Sequence, residues 1–559
     1  MTYAEKPWLK SYGPDVFREI VPPEETFVER FREVARRAGD SPALFFLGKT
    51  FTYAELDDFS NRFAQALLSR GLGRGDVVGV CLPNTPQYTI GLLGILKAGA
   101  AVSNVSPLLT AHEMAYQLND CGAKALVLAD MLLEKPFQAA AKQTPNLETV
   151  IVTGLMDLTQ PPAGPAAPGP AGGLTPFFDK EIVGFKAFLA EFPGRDPEIN
   201  PGLDDAALIQ YTGGTTGPPK GAVLTHRNLI SNMEQFRAVL RLERGRDSFC
   251  AGLPMFHIAG LVVSLLGPFF GIPQVVIPDP RNTKFILNQI AAYKPSVLVN
   301  VPTLYLMFLQ DPVARQIDWS AVRVCYSGAA PFSDEGIRAL ESLIGPGKVR
   351  ELYGMTETSP LIAMDQPGAP KMVGSVGLPM PSTKLRLVDP VEGRGDVAIG
   401  EVGEILVSGP QVMRGYHNKP EENALAFVEL DGDRWLRTGD VGRLDQAGFL
   451  YLVDRSKDMI IVGGYKVFST EVENVLSEHP AIGMCAVVGI PNPERPETEM
   501  VKLVVQRSRD YAAKPEEEVE AAVLAFAREK LAPYKVPKVL EFKDMPLTAV
   551  GKIDKKQLR

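Results

Sequence analysis

Residues 211–221 read YTGGTTGPPKG, a short stretch holding four glycines, three threonines and one lysine. These residue types at this spacing suit the binding of an anion. Gly213, Gly214 and Gly217 carry no Cβ, so several backbone N–H groups can converge on one phosphate. Thr212, Thr215 and Thr216 add hydroxyl donors, and Lys220 adds a positive charge. The nucleotide-loop template GxxxxGK[ST] does not fit, because Pro218 stands where its second glycine belongs when counting starts at Gly213. A merely flexible turn would account for two or three glycines, but not for this density of threonine and glycine.

Other candidates for chemistry lie further along the chain. In YGMTET, Glu357 places a carboxylate beside the hydroxyl of Thr356, a pairing able to hold Mg²⁺, which takes one or two protein carboxylates and leaves the rest of its shell to phosphate oxygens and water. Asp440, in RTGDVGRL, can accept hydrogen bonds from two vicinal hydroxyls, and Arg455 can reach a sugar or a phosphate. Taken singly, each has an ordinary reading. A lone glutamate in a turn is usually solvated, a tyrosine such as Tyr353 usually packs, and an aspartate between Gly439 and Gly442 usually serves a turn. Lys552 lies in a basic tail with Lys555, Lys556 and Arg559, where solvation is the default.

Together these segments resemble the adenylate-forming family of acyl-CoA synthetases, aryl-CoA ligases, firefly luciferase and peptide-synthetase adenylation domains. YTGGTTGPPKGAVLTHRN is similar to that family's signature loop. The likeness continues in order through Ser327-Gly328-Ala329-Ala330-Pro331, Tyr353 to Thr358, Thr438-Gly439-Asp440, Asp454-Arg455 and Gly551-Lys552, nearly the whole chain. The resemblance implies that ATP and CoA are cosubstrates of a carboxylic acid and that Glu357 holds Mg²⁺. It also implies that residues 212–217 and Lys220 hold the phosphates, and that Tyr353 lies against adenine with Gly328, Ala329 and Ala330, followed in the same site by Gly354, Met355 and Thr356. Asp440 and Arg455 would hold the ribose and α-phosphate. Lys552 would be the catalytic lysine bridging the attacking carboxylate and the α-phosphate, where a cation relieves the repulsion of two anions. Thr212 and Glu357 complete that catalytic set together with His257, which the resemblance puts near the reacting carboxylate; a buried packing histidine is the alternative. A hinge at Lys457 and a pantetheine tunnel at Gly463, Gly464 and Tyr465 are implied for the second half-reaction.

The elements that must position these groups can be read from periodicity. Thr52 and Glu55 form a capping box opening a helix that ends near Gly71, and Val77 to Leu82 reads as a buried strand. The apolar runs Ala125 to Leu128, Val150 to Val152, Val275 to Ile277 and Val297 to Val301 alternate with helical patterns, which predicts an α/β fold with mainly parallel strands. The apolar stretch Ile258 to Ile277 is broken by Gly267-Pro268 and Gly271-Ile272-Pro273, so a buried helix followed by a strand from Gln274 to Pro278 is expected, the helix lining an acyl channel. Pro161 to Gly173 offers nothing to pack and is expected to be a surface excursion. Beyond strand-like Phe449 to Val453, the polar run 454–458 predicts a hinge. Thr470 with Glu473 predicts a second capping box, Ala486 to Ile490 a strand, and Pro515 followed by three glutamates a helix with Val519, Val523 and Phe526 inward. The expected organisation is a large multi-subdomain N-terminal domain, 1–456, and a small mobile α+β C-terminal domain, 457–559.

Composition agrees with an ordinary folded globular protein. Of 559 residues, 45% are hydrophobic and 22% charged, and the net charge of -8 gives no basic face for nucleic acid or anionic lipid. Five cysteines lie without CxxC spacing and are expected to be buried apolar side chains. The N-terminus lacks the pattern of a secretory signal, so a cytoplasmic protein is expected, with peripheral contact at the inner membrane surface and a homodimer as further expectations. The leading functional expectation is a medium- or long-chain fatty acyl-CoA ligase. An aryl- or other carboxylate-CoA ligase, an adenylating enzyme with a carrier-protein acceptor and a non-catalytic nucleotide-binding protein are the alternatives.

Overall fold

The computed structural model describes residues 2–159, 179–212, 218–330, 332–367, 369–463, 465–493, 495, 498–546 and 553–559. The expected excursion at 161–173 therefore lies outside the described residues, as do Gly213 to Gly217, Gly464 and Lys552. The chain forms two compact units. The larger comprises Ser11–Lys384 with Ser408–Phe427, and the other Met1–Lys10, Leu385–Val407 and Val428–Arg559.

Two sheets build the larger unit, and both are parallel at the centre. In the first, the strands Ala206–Thr212, Ala101–Asn104, Val77–Cys81, Ala123–Ala129, Thr149–Thr153 and Glu181–Gly184 lie side by side in parallel. Lys220–Thr225 and Gly415–Tyr416 extend it antiparallel at one edge. Strands such as Val77–Cys81 are buried on both faces, which is why they read as unbroken apolar runs rather than as alternating ones. The second sheet runs through Pro42–Phe46, Gln274–Val276, Phe249–Ala251, Val297–Asn300, Val324–Ser327 and Val349–Gly354 in parallel, with antiparallel strands at each edge.

Local sequence signals set the ends of several elements. Thr52 caps the helix Tyr53–Ser69 in a full capping box with Glu55, and Gly71 follows in the left-handed region. The apolar stretch after His257 is the buried helix Ile258–Phe270, closed by Gly271 at φ +71° and followed by the strand Gln274–Val276. At 13 residues it is far short of a bilayer span, and no helix among the described residues is long and apolar enough to cross a membrane. All five cysteines are buried and unpaired, and burial raises their thiol pKa values, so they serve as apolar side chains.

The second unit contains a body of α+β structure with its own core. The strands Ile482–Pro491, Glu499–Arg507 and Val539–Phe542 pack with the helices Ser469–Leu476 and Glu516–Lys530 around Val472, Leu476, Val487, Leu503, Val519 and Val523. Pro515 precedes the last helix as expected, but Ala527 is fully buried on its inner face while Phe526 is only partly so. The capping box expected from Thr470 and Glu473 does not form. The helix begins at Ser469 and its N-terminus is held from a distance by the buried Asp454, whose carboxylate accepts from the backbone N–H and hydroxyl of Ser469 and from the Thr470 hydroxyl. Glu473 is drawn away to the Val487 N–H and the Lys555 ammonium, a charged partner that a local cap cannot match. The polar run expected to form a hinge begins as strand: Leu450–Arg455 carries Asp454 and Arg455 in register with Val441 and Asp440.

Candidate active site

In the larger unit the described ends of the glycine- and threonine-rich motif lie on two antiparallel strands, Ala206–Thr212 and Lys220–Thr225. Thr212 lies opposite Lys220 and Tyr211 opposite Gly221, so both flanks of the motif stand on a two-strand base. That base is anchored below by Asp120, which accepts from the Tyr211 hydroxyl at 2.7 Å and pairs with Lys419 at 2.6 Å. Thr212 and Lys220 thus take their positions from the edge of the sheet.

Against this hairpin packs the short turn Thr356–Thr358 that carries Glu357. The turn follows directly on the strand Val349–Gly354, whose last residues are Tyr353, buried, and Gly354, exposed. Gly354 cannot be replaced without movement of the backbone, since a Cβ there would lie 2.0 Å from the Pro360 carbonyl oxygen. Glu357 is buried and its backbone carbonyl accepts from Met413 N–H at 2.8 Å. Its Oε1 accepts from the Tyr416 hydroxyl at 2.7 Å. Burial and the neighbouring carboxylate push the Tyr416 pKa upward, so the phenol stays protonated and donates. The Lys220 ammonium stands 4.7 Å from the Tyr416 ring centre and pairs with Glu422 at 2.8 Å. Neither Tyr416 nor Glu422 stands out in the sequence; the only local signal is the run Gly-Tyr-His-Asn-Lys-Pro, which marks a turn.

The residues present fit a magnesium ion of the kind that shares its shell with a nucleotide. Glu357 is a buried carboxylate oriented by a phenol, and among the described residues there is no group of three or more His, Cys, Asp or Glu side chains able to cage a metal unaided.

Gly328 and Ala329 follow the strand Val324–Ser327, with Ala329 at φ +67° and both Ala329 and Ala330 exposed. A non-glycine residue in that region costs of order 1 kcal/mol, so the turn is held there by its surroundings. Beside Gly328 and Ala329 opens a small apolar cavity. Val262, Val263 and Leu266 of the helix Ile258–Phe270 form one wall, Val297 and Val299 the opposite strand, and Phe236 and Leu240 the end of the helix His226–Leu240. From Val297 to Asn300 that wall runs roughly 10 Å, with Gly328 and Ala329 at the carboxyl ends of the strands. His257 is the N-cap of the lining helix, its Nδ1 lying 3.4 Å from the Ala259 N–H. The loop before it is pinned by buried polar side chains. Asn84 bonds Leu253 and Met255, Gln210 donates to the Phe256 carbonyl, and the Tyr88 hydroxyl lies 2.7 Å from the Met255 carbonyl.

The second unit carries the remaining candidates. Asp440 and Arg455 face each other across adjacent strands and form an ion pair at 3.2 Å. Lys457 sits in the exposed turn that follows, its carbonyl accepting from Arg559 at 3.1 Å. Gly463 adopts φ +57° in the turn of the hairpin formed by Ile460–Val462 and Tyr465–Val467, so backbone conformation gives it a reason beside the expected channel. Tyr465 is 60% exposed and stacks on Tyr534 with ring centres 4.6 Å apart. The tail after Lys552 is docked rather than solvated: Leu558 is buried, Lys555 pairs with Glu473 at 2.7 Å, and Arg559 pairs with Asp458.

Comparison with known proteins decides the lineage. Residues 31–417 match the AMP-binding enzyme family and residues 471–552 the AMP-binding enzyme C-terminal domain. The chain belongs to the AMP-binding enzyme family. Among the curated members, it is 36% identical to a long-chain-fatty-acid–CoA ligase of Bacillus subtilis (strain 168) and 37% identical to one of Yersinia pestis, in each case over 99% of this chain and 98% of the relative. Solved structures of similar AMP-binding enzymes include the anthranilate CoA ligase AuaEII in complex with anthranoyl-AMP, with 26% identity and a TM-score of 0.81 over 100% of this chain and 98% of that one. ATP-bound MatB from Rhodopseudomonas palustris superimposes with a TM-score of 0.81 at 29% identity, over 95% of this chain and 98% of that one.

Proposed function

We propose that this AMP-binding enzyme is an AMP-forming acyl-CoA synthetase acting on medium- or long-chain fatty acids. The observation that carries the reading is the apolar cavity lined in part by Gly328 and Ala329, in the unit that also holds Thr212, Lys220 and Glu357. A cavity without charged lining accepts an alkyl chain and leaves its carboxylate at the polar end. The names of the curated relatives support the same substrate class.

In the first half-reaction a carboxylate oxygen attacks the α-phosphorus of ATP in line and pyrophosphate departs. In the second, the CoA thiol attacks the carbonyl carbon of the acyl-adenylate and AMP leaves with the bonding electrons. Mg²⁺ bound with the nucleotide would neutralise charge on the phosphate oxygens, held by Glu357. Thr212, Lys220 and the loop between them bind and orient the phosphates. Tyr353 and the turn at Gly328 to Ala330 receive the adenine, and Asp440 the ribose hydroxyls beside Arg455. Lys552 draws the substrate carboxylate to the α-phosphate. His257 fixes the start of the lining helix and stands at the reacting carboxylate. Lys457 is the hinge between the two half-reactions, and Gly463, Gly464 and Tyr465 border the pantetheine.

The test is AMP formation with CoA across straight-chain acids from short to long and a few aryl acids. A maximum among medium or long chains is expected. A preference for an aryl acid, the substrate class named for a 34% identical relative, the feruloyl-CoA synthase of Amycolatopsis sp, overturns the substrate assignment. Turnover only with a carrier protein overturns the acceptor.

A further inference from the structure

We propose that Tyr416 is the positioning residue that couples the phosphate-loop lysine to the magnesium carboxylate, its ring supporting Lys220 and its hydroxyl setting the orientation of Glu357. This rests on the role proposed for Glu357. Three observations carry it. The hydroxyl donates to Glu357 Oε1 at 2.7 Å, and the same ring lies 4.7 Å beneath the Lys220 ammonium, so one side chain contacts both charged groups from different faces.

The backbone that carries the ring is held on several sides. Gly415–Tyr416 pairs antiparallel with the strand that begins at Lys220, placing Tyr416 opposite Ala222. Asn423 then clamps the backbone of Tyr416 from both sides, accepting from its N–H at 2.6 Å and donating to its carbonyl at 2.9 Å. The segment before it also reaches the metal turn, through the Met413 N–H on the Glu357 carbonyl. Tyr416 therefore moves with the phosphate hairpin and with Glu357 together.

The physical consequence is preorganisation. A carboxylate on a turn can rotate about its terminal bond; a phenol donating to one oxygen fixes the plane of the group and the direction in which the second oxygen presents. The ring quadrupole meanwhile favours the lysine cation in place over its face. Losing the hydroxyl should weaken metal binding and spare contacts to the nucleotide, whereas losing the ring should affect both.

The test is equilibrium binding of Mn²⁺, followed by its electron paramagnetic resonance, with a non-hydrolysable ATP analogue, and of the analogue alone in EDTA. The proteins are the parent, Tyr416→Phe, Tyr416→Leu and Glu357→Gln, each checked for an unchanged melting temperature. Tyr416→Phe should bind the Mn²⁺ complex about tenfold more weakly than the parent, at the lower end of the range for such orienting partners, with unchanged affinity for the metal-free analogue. Tyr416→Leu should weaken both. Parent-like Mn²⁺ binding by Tyr416→Phe, or equal loss of metal-free binding in the Phe and Leu variants, overturns the inference. Parent-like Mn²⁺ binding by Glu357→Gln overturns instead the role of Glu357 on which it rests.

Discussion

A cation placed between two anions is the residue-scale core of the proposed chemistry. The residues that follow Lys552 in the chain are fastened by Lys555 to Glu473 and by the buried Leu558. In the proposed mechanism the Lys552 ammonium acts on the encounter of carboxylate and α-phosphate, and has no carboxylate to bridge once the adenylate has formed. Lys552→Ala is therefore expected to slow pyrophosphate exchange into ATP by about 10²–10³-fold, the usual loss on removing one transition-state charge partner, while thioester formation from supplied acyl-adenylate stays within a few-fold of the parent. Parallel measurement of the two half-reactions decides it, and exchange at the parental rate removes Lys552 from the mechanism. At the same scale the sequence exposed residue types in recognisable order, but not Tyr416, because an isolated tyrosine after a glycine looks like any other packing residue.

Strands and helices turn these residue types into a site, and two predictions belong here. The first concerns the antiparallel pair Val349–Gly354 and Leu361–Met364, at whose end the buried carboxyls of Glu351 and Asp365 come together. Burial and then the neighbouring carboxylate push Glu351 up to about 7, and burial raises Asp365 as well. A carboxyl raised in the folded state adds stability that is complete below its ordinary pKa and is lost as pH rises through the raised one. Melting temperature should accordingly fall between about pH 5 and pH 8, and Glu351→Gln should flatten that slope; an unchanged slope in the variant would show that the pair does not govern it. The second concerns the helix Ile258–Phe270. Val263 faces the apolar cavity, so Val263→Trp should fill part of it and shift preference toward shorter acids, with kcat/KM for long chains relative to short ones falling at least tenfold. Overpacking of this kind costs about 1–3 kcal/mol, to be read from denaturant unfolding, and an unaltered chain-length profile would place the acyl chain elsewhere.

At the scale of the whole molecule, the two proposed half-reactions need different surroundings for one adenylate, and Lys457 is where the chain is proposed to turn. It stands in an exposed turn just after a strand that is firmly paired through Asp440 and Arg455, and among the described residues its own N–H makes no hydrogen bond. Proline there removes no donor in use but fixes φ and restricts Ser456. Lys457→Pro is expected to slow thioester formation at least tenfold while pyrophosphate release continues, and equal loss of both would rule out the hinge. The sequence by itself determined the family, the order of its motifs, the α/β alternation and most element positions. Each of these is written in short-range patterns: the glycines and threonines of 211–221, the Thr52 capping box, the apolar run after His257. Tertiary structure alone decided which distant segments meet. Lys220 pairs with a carboxylate 202 positions away, Tyr416 with one 59 away, and Asp454 rather than Thr470 holds the N-terminus of the helix Ser469–Leu476. The apolar cavity is likewise walled by separate helices and strands. Contacts across such separations leave no periodicity in a sequence, because it is packing of the completed sheets that brings them together.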